Sequence, residues 1–189
     1  AANNTVGGTV AGAGNLISGN DAGGMRINSS SATENLVQGN KIGTKADGVT
    51  PLANSGPGVH TLNSASSNTI GGVAGEGNII AFNIGAGVKI ESGTANAIMS
   101  NSIFSNTGLG IDLGPAGMTA NDVNDGDGGA NNLQNFPVLT SANGGVGGGV
   151  NIQGTLNSTA NSTFMLHFYA NTSCEVSGNG EGRTFLGSA

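Results

Sequence analysis

A six-residue phrase, glycine, any residue, glycine, then apolar, polar, apolar, recurs through this chain and restricts its fold more than any other feature. It reads Gly85-Ala86-Gly87-Val88-Lys89-Ile90 and Gly108-Leu109-Gly110-Ile111-Asp112-Leu113. Looser copies stand at Ala22-Gly23-Gly24-Met25-Arg26-Ile27 and Gly56-Pro57-Gly58-Val59-His60-Thr61-Leu62. An apolar-polar-apolar triplet is too short to make a helix face, but it has the period of a strand whose outer residues point one way and whose middle residue points the other. Between copies lies a second unit, asparagine followed by an apolar pair: Asn15-Leu16-Ile17, Asn35-Leu36-Val37, Asn78-Ile79-Ile80, and more loosely Asn96-Ala97-Ile98 and Asn101-Ser102-Ile103. Short strand, glycine or asparagine corner, short strand is the pattern of a solenoid.

Composition agrees. The 189 residues include 36 glycines and 26 asparagines but only four prolines and 4% aromatics, so the chain turns often and tolerates left-handed backbone at many points. The glycines have no three-residue period, which excludes collagen, and the interspersed isoleucine, valine and leucine argue against a disordered linker. Residues 4–42 overlay 68–114 at an offset of 64, with Asn4-Thr5-Val6-Gly7-Gly8 falling on Asn68-Thr69-Ile70-Gly71-Gly72. That offset predicts three turns of roughly 20 to 25 residues each. Stacking then predicts an internal ladder of Ile17, Val37 and Ile80. The corner asparagines would take the left-handed region and bond by their amides to the copies above and below. Residues 43–57 carry several chain-breaking signals and read as a loop thrown out of one coil.

These phrases, N-T-[VI]-G-G, G-x-G-N followed by two apolar residues, and the glycine phrase above, resemble the right-handed parallel β-helix repeats of bacterial secreted and cell-surface proteins, the pectate-lyase-like superfold. The resemblance covers roughly residues 1–114. It implies an all-β solenoid, an extracellular or cell-surface location, and a polysaccharide or cell-surface glycan as partner; it specifies the fold far better than the activity. The texture of the chain divides it into a β-helix over 1–118, an Asp/Asn/Gly-rich junction over 119–137, and a β-rich tail over 138–189. Strands are expected in the tail at Val150–Gln153, Phe164–Tyr169 and Thr184–Leu186, too few for a sandwich alone, so the tail is an incomplete sandwich or a cap. Exposed solenoid ends also suggest a homo-oligomer.

Charge narrows the partners. Only 8% of residues are charged and the net charge is −6, which leaves no basic patch for nucleic acid. No apolar run approaches the length of a membrane span. The single cysteine, Cys174, can form no internal disulfide and has no metal-site spacing around it. The repeat is already under way at Asn4, so the lack of a leader segment is uninformative.

If the flanking apolar residues of each glycine phrase point inward, Arg26, His60, Lys89 and Asp112 form one outward file. The plain reading of such a file is a solvated row. The functional reading is a groove for an extended polymer, with Lys89, Asp112 and His60 as candidate catalytic residues and Arg26 and Glu91 as candidate substrate-binding residues. Similar β-helix enzymes place cationic and acidic residues along one sheet, where an Arg or Lys side chain acting as base takes a sugar-ring proton next to an acid group neutralised by calcium, or two carboxylates split a glycosidic bond. Here Asp112 stands alone in its phrase, and only the 43–57 loop is long enough to wall a groove. Two readings therefore stand, with the first ahead: a non-catalytic module presenting a polar face to carbohydrate or protein, or a polysaccharide lyase or glycoside hydrolase.

The junction holds a second constellation, Asp122, Asn124, Asp125 and Asp127, whose oxygen side chains and intervening glycines suit a hard cation such as Ca2+ in a structural role. Its spacing matches neither the helix-flanked calcium loop nor the nonapeptide β-roll, and a polar junction without metal is the alternative. Alternation within Phe164–Tyr169 predicts a surface position for His167.

Overall fold

A computed structural model of the protein describes residues 1–175 and 178–189. The first 113 residues wind four times around one axis, each coil contributing three short strands. The first coil holds β1 (Thr5–Gly7), β2 (Leu16–Ile17) and β3 (Met25–Asn28), and the second β4 (Leu36–Gln38), β5 (Lys41–Ile42) and β6 (Val59–Leu62). The third holds β7 (Thr69–Gly71), β8 (Ile79–Ala81) and β9 (Val88–Ile90), and the fourth β10 (Ala97–Met99), β11 (Ser102–Phe104) and β12 (Ile111–Leu113). They stack as three parallel sheets, β1-β4-β7-β10, β2-β5-β8-β11 and β3-β6-β9-β12. This is the expected parallel β-helix.

Strand period and stacking together make the core. Val6, Val37, Ile70 and Ile98 are paired in register in the first sheet. Ile17, Ile42, Ile80 and Ile103 line the second. The third sheet contributes Met25, Val59, Val88 and Ile111 in one row and Ile27, Thr61, Ile90 and Leu113 in the next. The two middle coils seal this interior: Val37, Ile42, Val59, Ile70, Ile80, Val88 and Ile90 are all at most 1% exposed. Each such side chain contributes about 1.5–3 kcal/mol through its burial. Val59, Val88 and Ile111 line up as expected, but Ile111, on the last coil, remains 44% exposed.

Two details of the predicted stacking are corrected. The 64-residue offset spans two coils, because Asn4 is followed by Asn35 after 31 residues and by Asn68 after a further 33. In addition, Val37 lies in the first sheet while Ile17 and Ile80 lie in the second. The error has one source: the coils are longer than assumed, and each carries the asparagine-apolar unit at more than one corner.

Three files of asparagine run along those corners. In the first, the Nδ2 of Asn4 donates to the Oδ1 of Asn35, Asn35 to Asn68, and Asn68 to Asn96, at 2.8–3.0 Å. In the second, Asn15 donates to Asn40, Asn40 to Asn78 and Asn78 to Asn101, at 2.8–2.9 Å. In the third, Asn20 donates to Asn54, Asn54 to Asn83 and Asn83 to Asn106, at 2.7–2.9 Å. The corner asparagines do not themselves adopt left-handed backbone. In the first file that conformation belongs to the preceding residues, Asn3, Glu34, Ser67 and Ala95, with φ of 56–57°. The side-chain amide, rather than backbone tolerance, is therefore what these asparagines supply. Gly7 and Gly71 explain the N-T-[VI]-G-G phrase: each has φ near +90°, and a Cβ there would lie 1.9–2.0 Å from a carbonyl oxygen of the next coil.

The fourth coil is closed by segments distant in sequence. A 3-10 turn at Ala130–Leu133 places Ala130 in the core, and the Oδ1 of Asn131 accepts from the backbone N of Asn96 at 3.0 Å, as a fifth rung would. Glu181 does the same for the third file: its Oε1 accepts from Asn106 N at 3.2 Å and Nδ2 at 2.9 Å. Beside it, Ile103 N donates to Gly182 O, Ser102 Oγ donates to Arg183 O, and the Arg183 guanidinium lies 4.4 Å from the centre of the Phe104 ring.

The tail forms two antiparallel hairpins, β13 (Val138–Gly144) with β14 (Val150–Thr155), and β15 (His167–Ala170) with β16 (Thr184–Ser188). The expected strands at 150–153 and 184–186 lie within β14 and β16. Residues 164–166 are not strand, and β13 is additional. His167 is half-buried, its ring 5.2 Å from Phe185, because the hairpin folds its aromatics together.

Asn78→Ala leaves Asn40 N without an acceptor, removes one of the three acceptors of Asn40 Nδ2, and leaves Val37 O and the Oδ1 of Asn101 each short of a donor, all at buried positions. The expected cost in chemical denaturation is about 3–5 kcal/mol, against less than about 1 kcal/mol for Asn4→Ala on the exposed first rung. Thr61 sits fully buried in an apolar row with no partner for its hydroxyl, so Thr61→Val is expected to stabilise the protein by about 1–2 kcal/mol in the same assay.

Candidate functional site

The middle residues of the glycine phrases form the outward file read from the sequence: Arg26 pairs with His60, His60 with Lys89 and Lys89 with Asp112 across the third sheet. Parallel strands place successive members about 4.8 Å apart. Opposite charges meet along the face. The Nε2 of His60 lies 3.0 Å from the Oε2 of Glu91, one outward position further along the next coil, and the Nζ of Lys89 lies 3.8 Å from the Oδ2 of Asp112. Arg26 is exposed and makes no ion pair among the described residues.

Exposure falls along the file, from exposed Arg26 through half-buried His60 and Lys89 to Asp112, which is 6% exposed. The chain buries Asp112 by turning sharply after β12, so that Gly117 N donates to its Oδ1 at 3.2 Å. Burial pushes the Asp112 carboxyl above its usual range, partly opposed by the Lys89 ammonium and by the Gly117 amide. A cavity of about 450 Å³ opens over this pair, with Pro57, Leu109, Ala116 and Glu175 among its other lining residues.

The walls differ from those expected. Residues 43–57 fold back over the second sheet, where Gly48 packs against Ile79 and Lys41, and only Pro57 at the end of the segment reaches the cavity. The turn at 114–117 and the tail residue Glu175 enclose it instead. The Gly114-Pro115-Ala116-Gly117 turn was readable as a chain reversal directly after the Asp112 strand. Glu175 carried no local signal, because it arrives through the return of the tail. A second cavity, about 420 Å³, lies among the glycine-rich loops around residues 8–14, where the Lys41 ammonium is engaged by the carbonyl of Ala46.

In the junction, Asp122, Asp125 and Asp127 bring one carboxylate oxygen each within 4.8 Å of the others. Asn124 is exposed, and its backbone N donates to the Oδ1 of Asn157. Two of the carboxylates also organise the loop: Asp122 accepts from Gly126 N, while Asp125 accepts from Asn135 N and from the hydroxyl of Ser158. The Oδ1 of Asp127 is buried without a hydrogen-bond partner. An all-oxygen set of this kind suits Ca2+ in chemistry.

No known protein family, curated protein or solved structure matches this chain.

Asp112 makes a pH prediction. Its folded pKa is raised, so the folded state binds the proton more tightly than the unfolded chain, and stability is greatest below the unfolded value of about 3.9 and is lost as pH rises through the folded value. In Asp112→Asn this part of the pH dependence should vanish. Melting curves from pH 3 to 8 should show the variant gaining on the parent as pH rises.

Proposed function

We propose that this protein is an extracellular binding module whose third sheet presents a polar face to a carbohydrate chain, with the Lys89–Asp112 cavity as the anchoring subsite. The observation that carries this reading is the in-register file itself. Four polar or charged residues lie about one strand spacing apart and end in a cavity, which suits an extended ligand with repeated hydroxyls. Arg26 and Glu91 would contact successive units, and the Lys89 ammonium and Asp112 carboxyl would fix one unit by paired donor and acceptor.

One observation favours a catalytic version. Asp112 is a buried acid whose pKa is raised and which faces a cavity beside a cation, the environment that suits a general acid. In that version Lys89, Asp112 and His60 work on a glycosidic or uronate substrate as a lyase or hydrolase.

A glycan panel read by both binding and turnover separates the two. Binding without turnover, weakened about tenfold or more in Lys89→Ala and Asp112→Ala, supports the module. Turnover lost in both variants establishes the enzyme, and neither binding nor turnover on any glycan removes both readings. We propose further that Asp122, Asp125 and Asp127 hold a structural Ca2+, a reading supported by the buried, unpartnered Oδ1 of Asp127. Melting in calcium should then exceed melting in chelator, and Asp127→Asn should remove the difference.

A further inference from the structure

The corner between the first and second sheets alternates along the solenoid. Between β1 and β2 the chain makes a long turn over residues 8–15, and between β7 and β8 another over 72–78, whereas residues 39–40 suffice in the second coil and 100–101 in the fourth. The two long turns repeat one shape. Ala13 N donates to Val10 O and Glu76 N to Val73 O, both at 3.0 Å, with Gly12 and Gly75 in the left-handed region at φ of 84° and 95°. At their base both rest on the short corner: a Cβ on Gly14 would lie 2.0 Å from Gly39 O, and Gly39 N donates to Glu76 O at 3.3 Å. Beyond that base the turns stand two coils apart, about 9.6 Å, and the second coil supplies no turn between them. The layer left open is the cavity of about 420 Å³, with Ala11 and Gly12 on one wall, Gly75 on the other, Gly39 between them, and Lys41 and Ala46 toward the second sheet. Gly75 N has no hydrogen-bond partner among the described residues, and a Cβ there would meet nothing within 4 Å, so this wall presents bare backbone. The chain has 11 acidic residues to five basic ones, yet none of the acids lines this cavity. The Lys41 ammonium donates to the carbonyl of Ala46 and forms no ion pair among the described residues. The Glu76 carboxylate, at the root of one wall, is committed elsewhere, accepting from Gln38 Nε2 and Val73 N at 3.0 Å each.

We propose that this slot binds the carboxyl-terminal end of another polypeptide, two or three small residues long, with the terminal carboxylate on the Lys41 ammonium. The occupant follows from shape and charge. The open layer is about 4.8 Å thick, the spacing at which one peptide backbone packs on another. Glycine on both walls lets a further backbone approach closely, and the unpartnered amide of Gly75 offers it a donor. The walls are turns rather than strands, so they accept a few residues and not a long ladder. Where the chain itself fills this layer, in the first and third coils, it does so with Val-Ala-Gly, which sets the side-chain size the layer takes. A cation without a carboxylate stands at one end, and a free chain terminus supplies the missing partner. The slot shares no lining residue with the Lys89–Asp112 cavity, so it is a second site and does not depend on the reading of the third sheet.

The test titrates the full chain with acetyl-Ala-Gly-Ala carrying a free carboxylate, followed in a nitrogen–proton correlation spectrum. The peptide should shift the amides of Ala11, Gly12, Gly39 and Gly75 with a dissociation constant of about 1 mM. The same peptide ending in a carboxamide should bind at least about tenfold more weakly, because it brings no charge to Lys41. Sodium glucuronate, which brings the charge without the backbone, should be weaker by a similar factor. Lys41→Gln, with the rest of the spectrum unchanged, should lower affinity for the acid peptide to that of the carboxamide, and Lys41→Arg should restore it. No shift at these four amides with the acid peptide at about 10 mM would overturn the proposal. So would equal binding of the acid and carboxamide peptides, glucuronate binding as tightly as the peptide, or shifts confined to the residues around Lys89 and Asp112.

Discussion

Everything in this fold depends on a side-chain amide that donates to its counterpart one coil along. A corner must turn the chain and bury polar backbone near the edge of an apolar tube, and orphaned N–H groups there would be costly. Asparagine meets the need in two ways at once. Its Oδ1 accepts both the Nδ2 and, at most rungs, the backbone N of the residue before it in the file, as Asn68 does for Asn35 and Asn78 for Asn40. Its Nδ2 also satisfies backbone carbonyls beside the previous rung, as Asn40 does for Val6 O and Asn78 for Val37 O. No other short side chain offers a donor and an acceptor at these positions with the same reach: aspartate lacks the donor, and serine is too short to span a strand spacing. In a low-dielectric setting such chains of hydrogen bonds reinforce one another, so the files act as cooperative seams.

Much of this was legible in the sequence, and what was not has physical causes. Alternation within Val88-Lys89-Ile90 and Ile111-Asp112-Leu113 assigns inward and outward faces without reference to any partner, so the charged file could be read directly. The register of that file followed because the glycine phrase marks the same corner in every coil. The assignment of Val37 failed for the opposite reason: Asn35 and Asn15 begin similar phrases at different corners, and local sequence does not say which. The cap was invisible because Asn131 and Glu181 act through contacts with Asn96 and Asn106, far away in the chain. A single glutamate in a polar tail gives no hint that it ends a row of asparagines.

The polar face shows how a repeat can generate a site by variation at one position. The inward residues of each phrase are fixed by packing, whereas the middle residue is free, and here it passes from Arg26 to His60 to Lys89 to Asp112. Stacking converts those separate choices into neighbours, so His60 meets Glu91 and Lys89 meets Asp112 without any loop to bring them together. The last member differs from the rest only because the chain reverses after β12 and Gly117 closes over it. Burial of Asp112 is thus a property of the end of the solenoid, where the repeat gives way to irregular structure and a cavity can form.

Successive rungs are separated by 31, 33 and 28 residues in the first file, by 25, 38 and 23 in the second and by 34, 29 and 23 in the third. Geometry is therefore indifferent to contour length: surplus chain leaves between rungs and returns without disturbing the seam. A search for fixed periodicity will overlook architectures of this kind, while one keyed to what each bend must hydrogen-bond will find them. The same indifference makes the segment between β5 and β6 a natural place to graft foreign sequence.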